Sequence, residues 1–162
     1  MIQKTLVLLK PDAVQRCFVG KIIERFENVG LKIVGMKMIW IDKDHGKKHY
    51  FDVEERHGKK VLNSLVDYLT EGPVIAMVLE GVSAVDNVRK IVGSTYPNEA
   101  MPGTIRGDFS HISKNYANAN DKKVSNLIHA SAKPEEAEYE IKLWFKPEEI
   151  HTYKTVHEIH VM

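Results

Sequence analysis

The chain is 162 residues long, 43% hydrophobic and 28% charged, with one cysteine and a formal net charge of +1. That length suits a single domain over residues 1–162 with a sizeable core. The balanced charge excludes a global attraction to nucleic acid or acidic lipid, so any anion site must be a local cluster. The lone Cys17 excludes an intrachain disulfide and a cysteine zinc site, and residues 1–4 lead into a strand with no basic leader or long apolar span, which points to the cytoplasm and away from a membrane.

Residues 5–9 (Thr5-Leu6-Val7-Leu8-Leu9) are almost wholly apolar and predict a strand buried on both faces, ended by Pro11 with Lys10 at its carboxyl end. Ile22, Ile23, Phe26 and Val29 lie on one stripe of a helix over residues 19–29, with Gly30 as its C-cap. Residues 31–41 are rich in β-formers and place Val34, Met36, Met38 and Trp40 on one face of a second strand. Residues 42–70 predict a helical pair broken near His57-Gly58. Gly72-Pro73 then punctuates, and residues 74–79 make a third, fully apolar strand.

Ser83 suits the N-cap of a helix bearing Ala84, Val85, Val88, Ile91 and Val92, stopped by Gly93. Residues 95–105, with Pro97, Pro102 and Gly103, read as a loop, and the polar stretch 110–125 as an extended surface loop. Residues 124–129 form the last core strand and 134–145 the last helix; the tail 146–162 has no clear period. This order is the split βαβ arrangement: a ferredoxin-like βαββαβ sandwich, its antiparallel four-stranded sheet covered by helices, with a helical insert and a C-terminal tail. A doubly wound sheet would want a further helix between the two strand units, and usually a glycine-rich first turn.

His129, at the end of the last strand in Asn126-Leu127-Ile128-His129-Ala130-Ser131, is the candidate nucleophile. Ala137, Glu140, Ile141 and Trp144 fall on one helical stripe, so Glu140 interrupts an apolar face and wants a partner, for which His129 is the natural candidate. On spacing alone a boundary glutamate reaching solvent fits as well, and a lone histidine is more often a satisfied core residue. The other seven histidines lie in polar or irregular context and are assigned no chemistry. Lys10, Arg89 and Arg106 each stand where a core can hold a cation rigidly, although each alone reads equally as a surface charge. Arginine suits phosphoryl oxygens because its fork is planar and always charged. Thr95 would add a neutral donor. No glycine pattern of the P-loop or dinucleotide-binding kind occurs, so side chains would have to hold phosphates. One imidazole, an orienting acid and three fixed cations suit a nucleophile that accepts a phosphoryl group.

Four blocks carry a resemblance over nearly the whole length: residues 5–14 (TLVLLKPDAV), 102–109 (PGTIRGDF), 126–131 (NLIHAS) and 143–149 (LWFKPEE). With them the chain resembles the nucleoside diphosphate kinase family, in its archaeal-type form. The resemblance implies a ferredoxin-like fold and a ping-pong exchange in which a nucleoside triphosphate such as ATP phosphorylates a histidine and a nucleoside diphosphate then collects the group. By motif, His129 matches the phosphorylated histidine, Glu140 the acid that orients it and Ser131 the serine beside it. Lys10, Tyr50, Arg89, Thr95, Arg106 and Asn126 match positions that contact phosphate and ribose, with Val61 and Leu65 on the segment that meets the base. The family also implies Mg2+ held mainly by the nucleotide phosphates, with no dedicated protein ligands, and a homo-oligomer, a hexamer in preference to a tetramer.

Three departures stand out. Val61 occupies the position where the family usually stacks an aromatic residue on the base; losing that stack costs roughly 1–3 kcal/mol, which predicts weaker nucleotide affinity with the chemistry intact. The stretch 110–125 is longer than the usual connection and is expected on the surface. Ala130 and Ala132 replace a glycine and an acidic residue common in the family, and neither change removes a required group. Two other functions compete: an RNA-binding ferredoxin-like module, which lacks an aromatic-basic strand signature here, and a catalytically silent relative acting as a nucleotide-binding scaffold.

Overall fold

The computed structural model describes residues 1–161. Four strands, β1 (Ile2–Leu9), β2 (Lys32–Ile39), β3 (Val74–Val82) and β4 (Ile128–Ala130), form one sheet in the order β2-β3-β1-β4, with every pairing antiparallel. Strand β1 lies inside the sheet, and Leu6 to Leu9 are all fully buried, as a run without polar alternation requires. Val7 and Leu9 enter one apolar cluster with Ile22, Phe26 and Val88, while Leu6 and Leu8 enter a second with Leu62, Val66 and Trp144.

The helices follow from these two faces. After β1 come α1 (Pro11–Gln15) and α2 (Val19–Glu27); between β2 and β3 lies the insert of α3 (Lys43–His49), α4 (Val53–His57) and α5 (Lys59–Thr70). Gly58, at φ 85°, breaks α4 from α5 where the sequence predicted the break, but the insert holds three helices in place of the expected pair, since the chain also turns between His49 and Val53. Helix α6 (Ala84–Val92) follows β3 and ends at Gly93. Then come α7 (Ile105–Phe109), α8 (Lys114–Ala119), and, after β4, α9 (Pro134–Trp144) and the terminal α10 (Glu158–Val161). This is the expected ferredoxin-like α+β architecture. Among the described residues no helix is long and apolar enough to cross a membrane.

Several local expectations are corrected. The face of β2 is not continuous: a bulge between Ile33 and Gly35 inserts one residue, so Val34 is buried while Met36, Met38 and Trp40 are more than half exposed. One extra residue reverses a two-residue alternation. The last strand is shorter than residues 124–129, because Leu127 has a left-handed backbone that cannot continue a ladder. The stretch 110–125 lies on the surface but is not wholly extended. Ser113 caps α8 by accepting from the Tyr116 N–H at 3.0 Å, and Lys123 pairs with Glu71. Residues 95–105 contain a 3-10 turn at Pro97–Glu99, and Arg106 sits in α7 rather than in a loop. The tail runs beside β2, where the His151 N–H donates to the Val34 carbonyl at 2.7 Å.

Candidate active site

Antiparallel register sets His129 opposite Leu8, so its ring lies on the face covered by α3, α5 and α9. There its Nε2 meets Glu140 Oε1 at 2.7 Å, and the other carboxylate oxygen accepts from Ser131 Oγ at 2.6 Å. Glu140 is almost fully buried, and burial raises its pKa, against the neighbouring His49 and the Ser131 hydrogen bond, which lower it. With the carboxylate accepting from Nε2–H, the tautomer is fixed and Nδ1 keeps a lone pair. Burial, reinforced by Lys10 and Arg106, lowers the His129 pKa, so the ring stays neutral in ordinary conditions. The interrupted apolar stripe of α9 thus has its partner, and the reading of Glu140 as a solvent-reaching boundary residue fails.

The His129 ring lines a cavity of about 230 Å³ together with Lys10, Tyr50, Leu65, Arg89, Thr95, Arg106 and Asn126. Every proposed cation is therefore at the histidine. Lys10 leaves the end of β1, is nearly buried, and donates from Nζ to Asn126 Oδ1 at 2.8 Å. Burial, then the charge of Arg106, pull its pKa down to about 7. The Asn126 amide donates in turn to the Thr95 carbonyl at 3.0 Å, so Thr95 is tied through its backbone.

The two arginines differ. Arg106 donates to four backbone carbonyls, those of Asn126 (3.1 Å), Gly93 (3.1 Å), Ser94 (3.3 Å) and Ile128 (2.6 Å). Four of its five donors are thus engaged with backbone oxygens. It supplies charge and pins the loop before it. Its pKa is lowered to about 10, by burial first and then by Arg89, so it stays charged at neutral pH. Arg89, exposed on the last turn of α6, makes no hydrogen bond or ion pair among the described residues, and its fork is free.

Tyr50, at the end of α3, brings a buried hydroxyl without a partner among the described residues, and burial raises its pKa. Val61 does not line the cavity. It is partly exposed on the first turn of α5, one turn before Leu65, which does. None of residues 110–125 lines the cavity.

His49, assigned no chemistry from sequence, is fully buried against His129. Its ring stands edge-on to His129, with centroids 4.4 Å apart, and its Nδ1 accepts from Trp144 Nε1 at 3.2 Å. Burial holds its pKa well below the usual histidine range. Its hydrogen-bond donor lies 95 residues away, and nothing local separates it from the exposed His57.

Among the described residues one group of three could ligate a metal: His49, His129 and Glu140, with ligand atoms within 4.8 Å of one another. Its lone pairs are already engaged by Trp144 and by the His–Glu bond, and two nitrogens suit Mg2+ poorly, since that ion prefers oxygen in an octahedron. The only carboxylate lining the cavity is Glu136, whose Oε2 accepts from the Ala132 N–H at 2.9 Å. The pocket offers no oxygen cage.

A family model described as nucleoside diphosphate kinase matches residues 3–150. A nucleoside diphosphate kinase of Pyrococcus furiosus is 53% identical over 152 residues, covering 94% of this chain and 88% of that protein. One from Borreliella burgdorferi is 47% identical over 156 residues, covering 95% and 93%. A solved structure described as a transition state mimic of the Borrelia burgdorferi enzyme, with bound vanadate and ADP, superposes with a TM-score of 0.95 at 46% identity, covering 99% of this chain and 96% of that one.

Proposed function

We propose, for a chain that belongs to the nucleoside diphosphate kinase family, that its phosphotransfer runs through a phosphohistidine at His129. The enzyme moves the terminal phosphoryl group of a nucleoside triphosphate to a nucleoside diphosphate. The observation that carries the histidine assignment is the 2.7 Å bond from Nε2 to Glu140 on a ring lining a cationic cavity.

In the first half-reaction the Nδ1 lone pair attacks the terminal phosphorus, a P–N bond forms, and the P–O bond to the leaving diphosphate breaks. No proton has to leave Nδ1, because burial keeps that nitrogen bare. The ring gains positive charge as the bond forms, and the Glu140 carboxylate, already hydrogen-bonded to Nε2–H, stabilises it. Ser131 holds the carboxylate in place. In the second half the same steps run backward onto another nucleoside diphosphate.

Lys10, Arg89 and Arg106 surround the oxygens where charge is spread, and Tyr50 and Asn126 add neutral donors. Leu65 borders the nucleotide, with Val61 one helical turn away and not part of the cavity lining. Mg2+ would come with the nucleotide's phosphates, since the pocket has no oxygen cage to hold it, and bound there it would neutralise phosphate charge. Residues 1–162 act as one domain, because the two apolar clusters pack on opposite faces of one sheet. We also expect a homo-oligomer, a hexamer in preference to a tetramer. Met36 and Met38, exposed on the edge strand, and Trp40 just after it are the kind of surface an assembly covers.

The test is labelling with terminally labelled nucleoside triphosphate. Wild type should take up acid-labile, base-stable label at His129, and His129→Ala should take up none while keeping its melting temperature within a few degrees. Label on any other residue would refute the assignment.

A further inference from the structure

Just before His129 the backbone does something its sequence gives no sign of. Leu127, fully buried, has φ 70°, and the Ile128 N–H donates to the Asn126 carbonyl at 2.8 Å, closing a three-residue turn around it. Positive φ is uncommon outside glycine, and a γ-turn of this sign is the strained form. Such a conformation persists only where its surroundings over-determine it.

Here every backbone polar group of the three residues is held. The carbonyls accept from Arg106 Nε (Asn126, 3.1 Å), the Lys10 N–H (Leu127, 2.8 Å) and Arg106 Nη2 (Ile128, 2.6 Å). On the amide side, the Asn126 N–H donates to Tyr68 Oη at 3.0 Å and the Leu127 N–H to Asp12 Oδ2 at 3.1 Å. Tyr68 Oη donates to Asp12 Oδ1 at 2.6 Å, which joins the two holders into one unit. Asp12 and Tyr68 are 7% and 2% exposed, come from α1 and α5, and do not line the cavity. Neither can touch a nucleotide. What they touch is the turn whose first residue receives Lys10 and whose exit leads directly to His129.

We infer that Asp12 and Tyr68 are positioning residues for phosphoryl transfer: a buried clamp that holds the strained turn at Leu127 and so fixes Asn126 and His129 relative to Lys10. The inference rests on His129 being the phosphoryl acceptor. Released from the clamp, Leu127 relaxes toward negative φ, and the segment carrying Asn126 and His129 shifts. In-line attack tolerates little displacement, whereas binding through the remaining cations tolerates more.

Tyr68→Phe removes the oxygen and keeps the ring that packs under the Lys10 ammonium, 4.8 Å from its centroid. The readout is the pre-steady-state rate of His129 labelling per active site, alongside the nucleotide dissociation constant from the same preparation. The labelling rate should fall at least tenfold, on the scale that misplacement of reacting groups produces, while the dissociation constant moves less than about threefold. Asp12→Asn keeps an acceptor for the Leu127 N–H and should recover part of the rate lost in Asp12→Ala. A wild-type labelling rate in Tyr68→Phe, or equal losses in Asp12→Asn and Asp12→Ala, would overturn the clamp. Wild-type protein that fails to label at His129 would overturn the phosphohistidine reading itself, and the clamp with it.

Discussion

The low pKa of Lys10 makes nucleotide binding a proton-uptake reaction. In the cavity the ammonium is nearly buried, its hydrogen-bond partner among the described residues is the neutral Asn126 side chain, and Arg106 stands close by; burial first and that charge second bring its pKa to about 7 from 10.5. At about pH 8 only about a tenth of the molecules then carry the proton, by the ordinary titration relation. A polyphosphate in the cavity puts negative charge beside the amine and returns it toward the normal lysine range, where it is almost fully protonated at that pH. Binding a nucleoside diphosphate at about pH 8 should therefore take up about 0.9 proton per site. His129 does not contribute, because burial and the neighbouring cations hold it unprotonated. Isothermal titration calorimetry in buffers of different ionisation enthalpy reads the number directly as a slope. Lys10→Gln, which has nothing to titrate there, should bring the slope near zero. A wild-type slope near zero, or one that survives in Lys10→Gln, would refute the reasoning. The sign for folding follows from the same shift. Between pH 7 and 10.5 the unfolded chain holds a proton that the unliganded fold does not. Lys10 alone thus makes stability rise with pH through that window, at up to roughly 1.4 kcal/mol per unit.

Val61→Phe would place an aromatic surface one turn before Leu65, which lines the cavity. A base–aromatic stack is worth roughly 1–3 kcal/mol, so the nucleotide dissociation constant should fall about 5- to 150-fold with kcat nearly unchanged; an unmoved constant in a fluorescence titration would show that α5 does not reach the base. Light scattering should give a solution mass that is a multiple of the 18.5 kDa chain, with six copies favoured, and a one-chain mass would remove the assembly proposed for the edge of β2.

Sequence periodicity carried the architecture because the two ends of the pattern are unambiguous. Leu6 to Leu9 have no polar alternation, so a strand buried on both faces is the only economical reading. Glu140 interrupting the stripe of α9 pointed to His129, and the structure joins them. The failures share a cause, which is a contact or backbone state with no local signature. The bulge between Ile33 and Gly35 is the exception: it reverses the face of β2, and its glycine was a local sign that the alternation alone passes over. Leu127 looks like one more strand residue and is instead the strained centre of a turn. His49 matters because of Trp144, and Asp12 because of Tyr68 and the Leu127 amide; in each pair the partners are distant in the chain. Arg106 was found by motif, but its role in holding four carbonyls was not visible, since those carbonyls belong to two separate segments.

The sequence counts three cations in the pocket, but the folded site does not carry three comparable charges. Arg106 is fixed and charged, with its donors committed to backbone. Arg89 is charged but exposed, so water screens it. Lys10 is the buried one, and two buried cations side by side would repel in a medium that screens weakly. The fold lowers that cost by bringing the Lys10 pKa to about 7, so that before an anion arrives its amine is only about half charged at neutral pH. Its amine rests meanwhile on Asn126, the first residue of the turn held by Asp12 and Tyr68. The same asparagine therefore serves the resting lysine and the geometry of the nucleophile, and nucleotide entry draws Lys10 into the charged state beside a histidine already in place. A pocket built in this way should bind its nucleotide more tightly as pH falls from 9 toward 7, while the histidine, neutral throughout, keeps its reactivity over the same range.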